Sequence, residues 1–201
     1  MSIKEEIELI TSEMGFVKET FLKVVNILPN FCITDENILP YGLKAHTRSV
    51  SWIVEQVVTQ QAKYNAELLG LLDVDIDIPD TSLHDCIITD GNNSKYYVNV
   101  KIHNINNKIN KNDIAAIEKL YMQYNLNPNY RIIYTVFGIY FQGVKVYFEK
   151  DRIHVFSPQF IPIYINPRND KLQAYYYHQP VFRTRDEFLL ELRNNSKSIV
   201  L

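Results

Sequence analysis

The chain has 201 residues, of which 46% are hydrophobic and 22% are charged. This balance predicts one domain with a sizeable core and excludes bulk disorder. The formal net charge of −2 does not exclude nucleic acid as a partner, because a local cluster of cations is enough to bind it. Two cysteines are too few for a disulfide framework or a zinc cluster, and no apolar run is long enough to cross a membrane.

The first third of the chain predicts two amphipathic helices separated by a loop. Residues 3–27 carry apolar side chains at helical spacing, and Gly15 in their middle leaves open whether they form one helix or two. Residues 28–47 contain two prolines and a glycine, which is typical of a loop. A second helix is predicted from residue 49 to residue 72. An edge strand follows at 73–80, where acidic and apolar residues alternate.

The middle of the chain predicts a β-hairpin followed by a helix. Strands at 85–90 and 96–103 flank a turn that is rich in glycine and asparagine. A helix is predicted at 113–124, with Asn112 or Asp113 as its cap.

The last third of the chain predicts a buried strand and a terminal helix. Residues 130–141 are nearly all apolar or aromatic, which is expected of a strand that is buried on both faces. Residues 144–156 predict a strand pair or a bent strand, 157–182 are irregular, and 184–193 form the last helix. This order predicts an α/β (α+β) fold in which helices flank a mixed central sheet, within a single domain over residues 1–201.

The predicted hairpin brings three polar side chains together. Asn99 and Lys101 lie two residues apart in one strand and so share a face, while Val98 and Val100 point into the core. A tight turn places Asp85, at the start of the other strand, beside them. The pattern also suits the solvated face of a half-exposed strand. Alternatively, these groups form a metal site for phosphodiester hydrolysis.

The arrangement resembles the PD-(D/E)xK nuclease superfamily, in which an Asp opens one strand and a (D/E)-x-K triplet follows on the next. Asp85 matches the first acid, and Asn99-Val100-Lys101 matches the triplet. Two positions depart from the pattern. His84 stands where the family usually has proline, which leaves the following Asp unaffected. Asn99 replaces an acid, which removes one negative charge and predicts weaker metal binding.

The resemblance implies a restriction-endonuclease-like core and a Mg²⁺ cofactor. It implies that Asp85, Asn99 and the Val100 carbonyl hold the metal, and that Lys101 orients the attacking water or stabilises the transition state. Family members often supply a further acid from the helix before the hairpin. Glu55 matches that place and is an expected catalytic residue and metal ligand. It lies among apolar neighbours, where an unpaired carboxylate is costly, although a helix-surface Glu is the simpler alternative.

The C-terminal part adds a second resemblance, to EcoRV-like and SwaI-like restriction endonucleases. It rests on PVFRTRDEFLLELRNN at 180–195 and on INPR at 165–168. In such enzymes this part of the chain contacts DNA. Lysine and arginine suit phosphates, and asparagine pairs with adenine. The expected DNA-binding residues are Lys44, Arg48, Asn104, Asn106, Asn107, Lys108, Lys111, Arg168, Lys171, Gln173, Arg183 and Arg185. A solvated loop at 104–112 and an irregular Tyr-rich cover of the sheet at 166–185 are the alternatives.

Together these features predict a type II restriction endonuclease that cuts double-stranded DNA with Mg²⁺ and leaves 5′-phosphates. A homodimer would match palindromic sites, and the expected location is the bacterial cytoplasm. Residues 1–48 would serve dimerisation and DNA contact, 49–156 catalysis, and 157–201 DNA recognition. The alternatives are a repair or junction nuclease of the same fold and a non-catalytic DNA-binding module that lost the acid at Asn99.

Overall fold

Five α-helices and nine β-strands form the described part of the chain, which in this computed structural model comprises residues 2–28, 30–43, 50–107, 111–196 and 199. The helices are α1 (Ile3–Ile27), α2 (Ser51–Tyr64), α3 (Ala66–Leu69), α4 (Ile117–Leu126) and α5 (Arg185–Asn195). Across these described residues, none of the helices is both long and apolar enough to cross a membrane.

Two sheets contain all nine described strands. The strands are β1 (Phe31–Cys32), β2 (Leu71–Asp75), β3 (Cys86–Asp90), β4 (Lys95–Asn104), β5 (Lys111–Ala116), β6 (Ile132–Gln142), β7 (Lys145–Phe156), β8 (Tyr164–Asn166) and β9 (Lys171–Tyr175). The larger sheet has the order β1-β7-β6-β4-β3-β2, and the smaller has the order β5-β9-β8. In the larger sheet β4 and β6 are parallel and the other pairs are antiparallel. The predicted α+β fold with a mixed central sheet is therefore confirmed.

The first and the last helix, α1 and α5, each begin with a capping box. At the start of α1, the Ser2 hydroxyl accepts from the backbone N–H of Glu5, and the Glu5 carboxylate accepts from that of Ser2. Thr184 and Glu187 make the same exchange at the start of α5. Such reciprocal bonds satisfy backbone donors that the helix itself leaves unpaired. Gly15 does not interrupt α1, which runs as one helix.

The larger sheet separates two apolar cores. On one face, Val98 and Val100 of β4 pack with α1 and α2. On the other, Tyr134 and Val136 of β6 pack with α4, α5 and the smaller sheet. Residues Ile132–Ile139 of β6 are buried, as predicted for a strand covered on both faces. The crossover from β4 to β6 passes through β5 and α4.

The predicted helix at 113–124 was wrong at its start. Residues 111–116 form β5, which pairs with β9, and α4 begins only at Ile117. Asp113 is not a helix cap, because its carboxylate accepts hydrogen bonds from the amides of Asn166, Asn169 and Gln173. The segment 157–182, predicted to be irregular, contributes β8 and β9 to the same small sheet.

The predicted helix at 49–72 was wrong at its end. The long helix α2 stops at Tyr64, and the short α3 ends at Gly70, which has a left-handed φ of 75°. Gly70 tolerates that conformation because it has no Cβ. The strand predicted at 73–80 begins earlier, at Leu71, and ends at Asp75.

A wide bulge interrupts the pairing of β6 with β7. Phe137 pairs with Ile153 and Ile139 pairs with Phe148, so Gly138 alone faces the four residues 149–152. A Cβ added to Gly138 would lie 2.4 Å from the Cβ of Arg152 and 3.0 Å from the Arg152 carbonyl oxygen. The bulged backbone therefore packs directly on this glycine.

We expect Gly138→Ala to lower the free energy of unfolding by about 1–3 kcal/mol, because the added methyl group overpacks the bulge. Gly15→Ala is the matched control, since it adds the same methyl group to an exposed helix position with no neighbour within 4 Å. It should raise stability by about 0.5–1 kcal/mol. Urea unfolding of both variants measures the difference. Equal stability of the two variants would contradict this packing.

Candidate active site

The candidate site lies where β4 leaves its partner β3. Strand β3 pairs with residues 95–98 of β4, whereas β6 pairs with β4 from Tyr97 to Asn104. One edge of β4 therefore has no strand partner from Asn99 onward, within the described residues. At this point Asp85 ends the ladder. Its N–H donates to the Val98 carbonyl at 2.8 Å, and its Oδ2 accepts from the Val100 N–H at 2.7 Å.

Asp85, Glu55 and Lys101 interact electrostatically across this edge. Glu55, half-buried on α2, and Asp85 line one small pocket of about 110 Å³. Burial raises the pKa of Glu55 to about 7; the Lys101 ammonium opposes that rise and the Asp85 carboxylate adds to it. Burial also raises the pKa of Asp85, against the effects of Lys101 and of the Val100 N–H. The fold thus places three of the four predicted catalytic residues, Asp85, Lys101 and Glu55, within electrostatic range of one another.

The side-chain amide of Asn99 has a hydrogen-bond partner for its nitrogen but none for its oxygen, among the described residues. Its Nδ2 donates to the Leu83 carbonyl at 2.7 Å, and its side chain is 6% exposed. Its Oδ1 is buried and has no hydrogen-bond partner among the described residues. A buried oxygen without a hydrogen-bond partner raises the free energy of the folded state, so the Asn99 Oδ1 is suited to bind a ligand.

The oxygens at this edge are of the type that a hard divalent cation prefers. The groups in question are the carboxylates of Asp85 and Glu55, the Asn99 Oδ1 and the Val100 carbonyl, which already accepts from Lys101 Nζ at 3.2 Å. Mg²⁺ prefers such oxygen ligands. In the part of the chain that is described, no three His, Cys, Asp or Glu side chains form a metal-binding group. A cation would therefore need the amide or the carbonyl oxygen as well as the carboxylates.

Aromatic side chains that the sequence does not reveal pack against His84, the residue that precedes Asp85. The ring of His84 lies against Tyr97 and Tyr130, with centroid distances of 5.1 and 5.9 Å. Its Nδ1 is 3.2 Å from the Tyr130 hydroxyl. Burial lowers the pKa of His84. Because Tyr130 lies 46 residues along the chain from His84, no local pattern indicates this contact.

The predicted DNA contacts divide into three groups. Lys44, Arg48 and Lys108 lie outside the described residues. Exposed side chains are those of Asn106, Asn107, Arg168 and Lys171. The others are engaged within the fold: Asn104 is buried and its Oδ1 accepts from the N–H of Asn106, while Gln173 donates to Asp113 and accepts from Lys111.

Arg183 and Arg185, which are predicted to bind DNA, make contacts within the protein. Arg183 is 3% exposed, pairs with Glu191 and donates to the Ile161 carbonyl at 2.6 Å. The guanidinium of Arg185 donates to the carbonyls of Tyr124, Asn127 and Tyr130 at the C-terminal end of α4. A cation at that end of a helix is favourable for the helix dipole. Both guanidinium groups are therefore used inside the protein.

A scan against protein-family models and a search of the curated proteins found no match to this chain.

We expect the titration of Glu55 to lower the stability of the protein as the pH rises from about 4.5 to about 7, because the pKa of this carboxyl group is raised in the folded state. A raised carboxyl pKa means that the folded state binds more protons than the unfolded state in this window, so folding is favoured on its acid side. Glu55→Gln should remove about 1–2 kcal/mol of this pH dependence, once the partial exposure of Glu55 is allowed for. Urea unfolding at pH 5 and pH 8 measures it. Glu118→Gln on the exposed face of α4 is the control. An unchanged pH dependence in Glu55→Gln would contradict the burial of this carboxyl group.

Proposed function

We propose that this protein is a Mg²⁺-dependent endonuclease that hydrolyses phosphodiester bonds of double-stranded DNA. The observation that carries the proposal is the electrostatic interaction of Asp85, Glu55 and Lys101 at the edge of β4 that has no strand partner among the described residues. The same strand carries Asn99, whose buried Oδ1 has no hydrogen-bond partner among those residues. Two carboxylates can hold a divalent cation, and that cation together with an ammonium group can bind a phosphate and stabilise the negative charge that develops on it.

Each residue has a distinct role in this proposal. Asp85, Asn99 and the Val100 carbonyl would hold the cation, with Glu55 as a further ligand. Bound Mg²⁺ would lower the pKa of water and offset phosphate charge. Lys101 Nζ donates a hydrogen bond to the Val100 carbonyl, which holds the ammonium group near the site. Lys101 would stabilise the charged transition state or orient the attacking water. A phosphate oxygen that replaces this contact would gain a charged donor.

The order of elements around the site supports the same proposal. Helix α2 carries Glu55, the β3–β4 hairpin carries Asp85 and the Asn99-Val100-Lys101 triplet, and α4 leads into the buried strand β6. This helix–hairpin–helix–strand order, in which β5 precedes α4, strengthens the resemblance to PD-(D/E)xK nucleases that Asp85 and the triplet carry. The finer proposal is a type II restriction endonuclease of the bacterial cytoplasm that acts on palindromic sites as a homodimer and leaves 5′-phosphates.

We expect the unchanged protein to cut phage DNA into discrete fragments in Mg²⁺. Lys101→Ala should lower the rate on the order of 10²-fold or more, which is typical of the loss of one group that stabilises a transition state. Lys145→Ala, which removes an exposed lysine at the start of β7, is the matched control. Gel electrophoresis measures cleavage, and end-sequencing gives the site.

The absence of fragments in both Mg²⁺ and Mn²⁺, with folding intact, would contradict the nuclease proposal. Cleavage only at branched or damaged DNA would favour a junction or repair nuclease instead. Undiminished cleavage by Lys101→Ala would contradict the proposed role of this lysine alone.

The strongest alternative is a non-catalytic DNA-binding module, since Asn99 stands where the family has an acid. One contact argues that Asn99 is integrated into this fold. Its Nδ2 donates to the Leu83 carbonyl, and an aspartate cannot make this bond. The Asn99→Asp substitution would also bring a buried carboxylate against that carbonyl oxygen. The acid therefore cannot be restored without a cost in stability.

We expect Asn99→Asp to lower the free energy of unfolding by about 1–3 kcal/mol without metal, because a buried donor is lost. If Asn99 is a metal ligand, Mg²⁺ should stabilise Asn99→Asp more than the unchanged protein, since the variant adds a negative charge to the site. Asn99→Ala should abolish cutting while DNA binding in Ca²⁺ survives. Thermal unfolding with and without Mg²⁺, together with the cleavage assay, measures these effects. Equal stabilisation of both proteins by Mg²⁺ would remove Asn99 from the ligand set.

A further inference from the structure

An open cavity of about 360 Å³ lies between α1, the end of β7 and the segment that follows β9. We call it the α1–β7 pocket. Its lining includes Lys18 of α1, His154 of β7, and Tyr176, His178 and Phe182 of the later segment. It shares no lining residue with the pocket of Glu55 and Asp85, so the proposed catalytic site does not account for it. Its volume is within the range of about 300–1,000 Å³ that is usual for small-molecule sites.

The pocket lies along an edge of β7 that no described strand covers. Strand β1 pairs only with Lys145 and Val146 of β7, whereas residues 153–156 pair with β6 on their other edge. Helix α1 packs in one apolar core and Tyr176 in the other, so the two walls of the pocket belong to opposite faces of the sheet. The recess between them is therefore a consequence of the shortness of β1.

Basic side chains surround this pocket. Lys18, His154 and His178 line it, and among the described residues no aspartate or glutamate does. Burial lowers the pKa of His154, and the positive charges of His103, Arg152, Lys18 and His178 lower it further. These groups are therefore close enough to repel one another when they are protonated. A bound anion would relieve that repulsion.

Two buried polar atoms beside the pocket have no hydrogen-bond partner among the described residues. They are the Tyr176 hydroxyl and His154 Nε2. The two rings are stacked with their centroids 5.6 Å apart, and Tyr176 is only 6% exposed. Buried polar groups are nearly always paired, because an unpaired one raises the free energy of the folded state. Two such atoms on adjoining rings therefore point to a ligand with polar atoms of its own.

His178 is oriented by a hydrogen bond to the backbone. Its Nδ1 donates to the Tyr175 carbonyl, so this nitrogen carries the proton in the neutral ring. The other nitrogen, Nε2, becomes a donor when the ring is protonated, which is the state that a neighbouring anion favours. The exposed ammonium group of Lys18 lies on a flexible stem and adds a second charged donor at the rim.

The apolar part of the lining suits a planar ring. Met14, Phe156, Phe160 and Phe182 contribute to it, and Phe182 is 51% exposed. Phe160 and Phe182 meet edge to face at 5.2 Å, and Phe156 meets His178 in the same way at 5.8 Å. Aromatic rings and thioether groups both pack favourably against a flat ring.

The number of basic groups distinguishes a phosphate from a carboxylate as the anion. A phosphate monoester has three acceptor oxygens, whereas a carboxylate has two. Three basic side chains, those of Lys18, His154 and His178, line the pocket. Ordered water would also satisfy the two unpaired atoms, but it has no charge with which to offset these side chains.

We propose that the α1–β7 pocket binds a free nucleoside monophosphate, with the base against the aromatic wall and the phosphate among Lys18, His154 and His178. The polar edge of the base would supply a partner for the Tyr176 hydroxyl. This site is separate from the candidate active site, and the proposal does not depend on the nuclease function.

The test is isothermal titration calorimetry with adenosine 5′-monophosphate and thymidine 5′-monophosphate. EDTA is present, so that no metal-bound phosphate forms at Asp85. We expect saturable binding of at least one nucleotide. Lys18→Gln and His178→Gln should each weaken it about ten-fold or more, because each removes a charged donor. Lys23→Gln, which changes an exposed lysine of α1 outside the pocket, is the matched control and should bind normally.

Tyr176→Phe separates ligand binding from a structural role. The variant keeps the ring and removes a hydroxyl that is buried without a partner among the described residues. Without nucleotide it should unfold at the same temperature as the unchanged protein or at a higher one, whereas its affinity for the nucleotide should fall several-fold. Unchanged affinity of this variant would overturn the contact to Tyr176.

The remaining arms identify the ligand. If neither nucleotide binds, or if inorganic phosphate binds as tightly as both, the proposal is overturned. Equal affinity of Lys18→Gln, His178→Gln and the control would overturn it as well. We expect a 5′-phosphorylated DNA duplex not to displace the nucleotide, because a base stacked in a duplex cannot enter the pocket. Displacement would assign the pocket to a DNA end and not to a free nucleotide.

Analytical ultracentrifugation tests a second copy of the chain as the other occupant. A dimer that Phe182→Ser dissociates, together with the absence of nucleotide binding, would make the pocket a protein interface and overturn the proposal. None of these variants changes Asp85, Glu55, Asn99 or Lys101. Cleavage of DNA by the same variants therefore tests the nuclease proposal separately.

Discussion

The candidate site depends on the way in which Asp85 ends the β3–β4 ladder. Its N–H continues the ladder to the Val98 carbonyl, and its carboxylate then takes the place of a backbone acceptor for the Val100 N–H. The chain can therefore turn away from β4 without leaving that donor unpaired. The same bond fixes a carboxylate at the edge of the strand that carries Lys101. One residue thus both opens the sheet and supplies charge at the opening.

The C-terminal segment supports this edge from behind. Arg185 donates to the Tyr130 carbonyl, the Tyr130 hydroxyl meets Nδ1 of His84, and His84 directly precedes Asp85. Glu6 of α1 joins the same assembly, because its carboxylate accepts from the backbone N–H of Arg185. Helix α1 and the start of α5 are therefore both connected, through Tyr130 and His84, to the segment that carries Asp85. The Arg-Thr-Arg stretch, which in sequence looks like a DNA-contact motif, is explained in the structure by packing and helix capping.

Local patterns predicted the parts of the fold that local physics decides. The sequence predicts α1, the hairpin and β6 from their hydrophobic patterns, because burial of one or both faces of an element selects apolar residues at fixed spacing. Period two likewise placed Asn99 and Lys101 on one face. Strand β5 was missed because Asp113 resembles a helix cap, whereas its amide partners lie 53 to 60 residues later in the chain. The Tyr130 contact joins residues that are 46 positions apart, and the bulge opposite Gly138 depends on how two neighbouring strands pair, so neither produces a period within one element.

Glu55 and Asp85 differ from other carboxylates of the chain in how well hydrogen bonds and opposite charges compensate their burial. Glu13 accepts two hydrogen bonds from Arg131 Nε and Nη2, and Asp113 accepts from three amides. Within the described residues, Glu55 accepts no side-chain hydrogen bond, and burial raises the pKa of both Glu55 and Asp85. The buried Asn99 Oδ1 is also without a hydrogen-bond partner in the part of the chain that the structure describes. Under the proposed function, a bound divalent cation would offset the cost of burying these carboxylates and would give the Asn99 Oδ1 a partner, whereas a purely structural role would leave those costs in place.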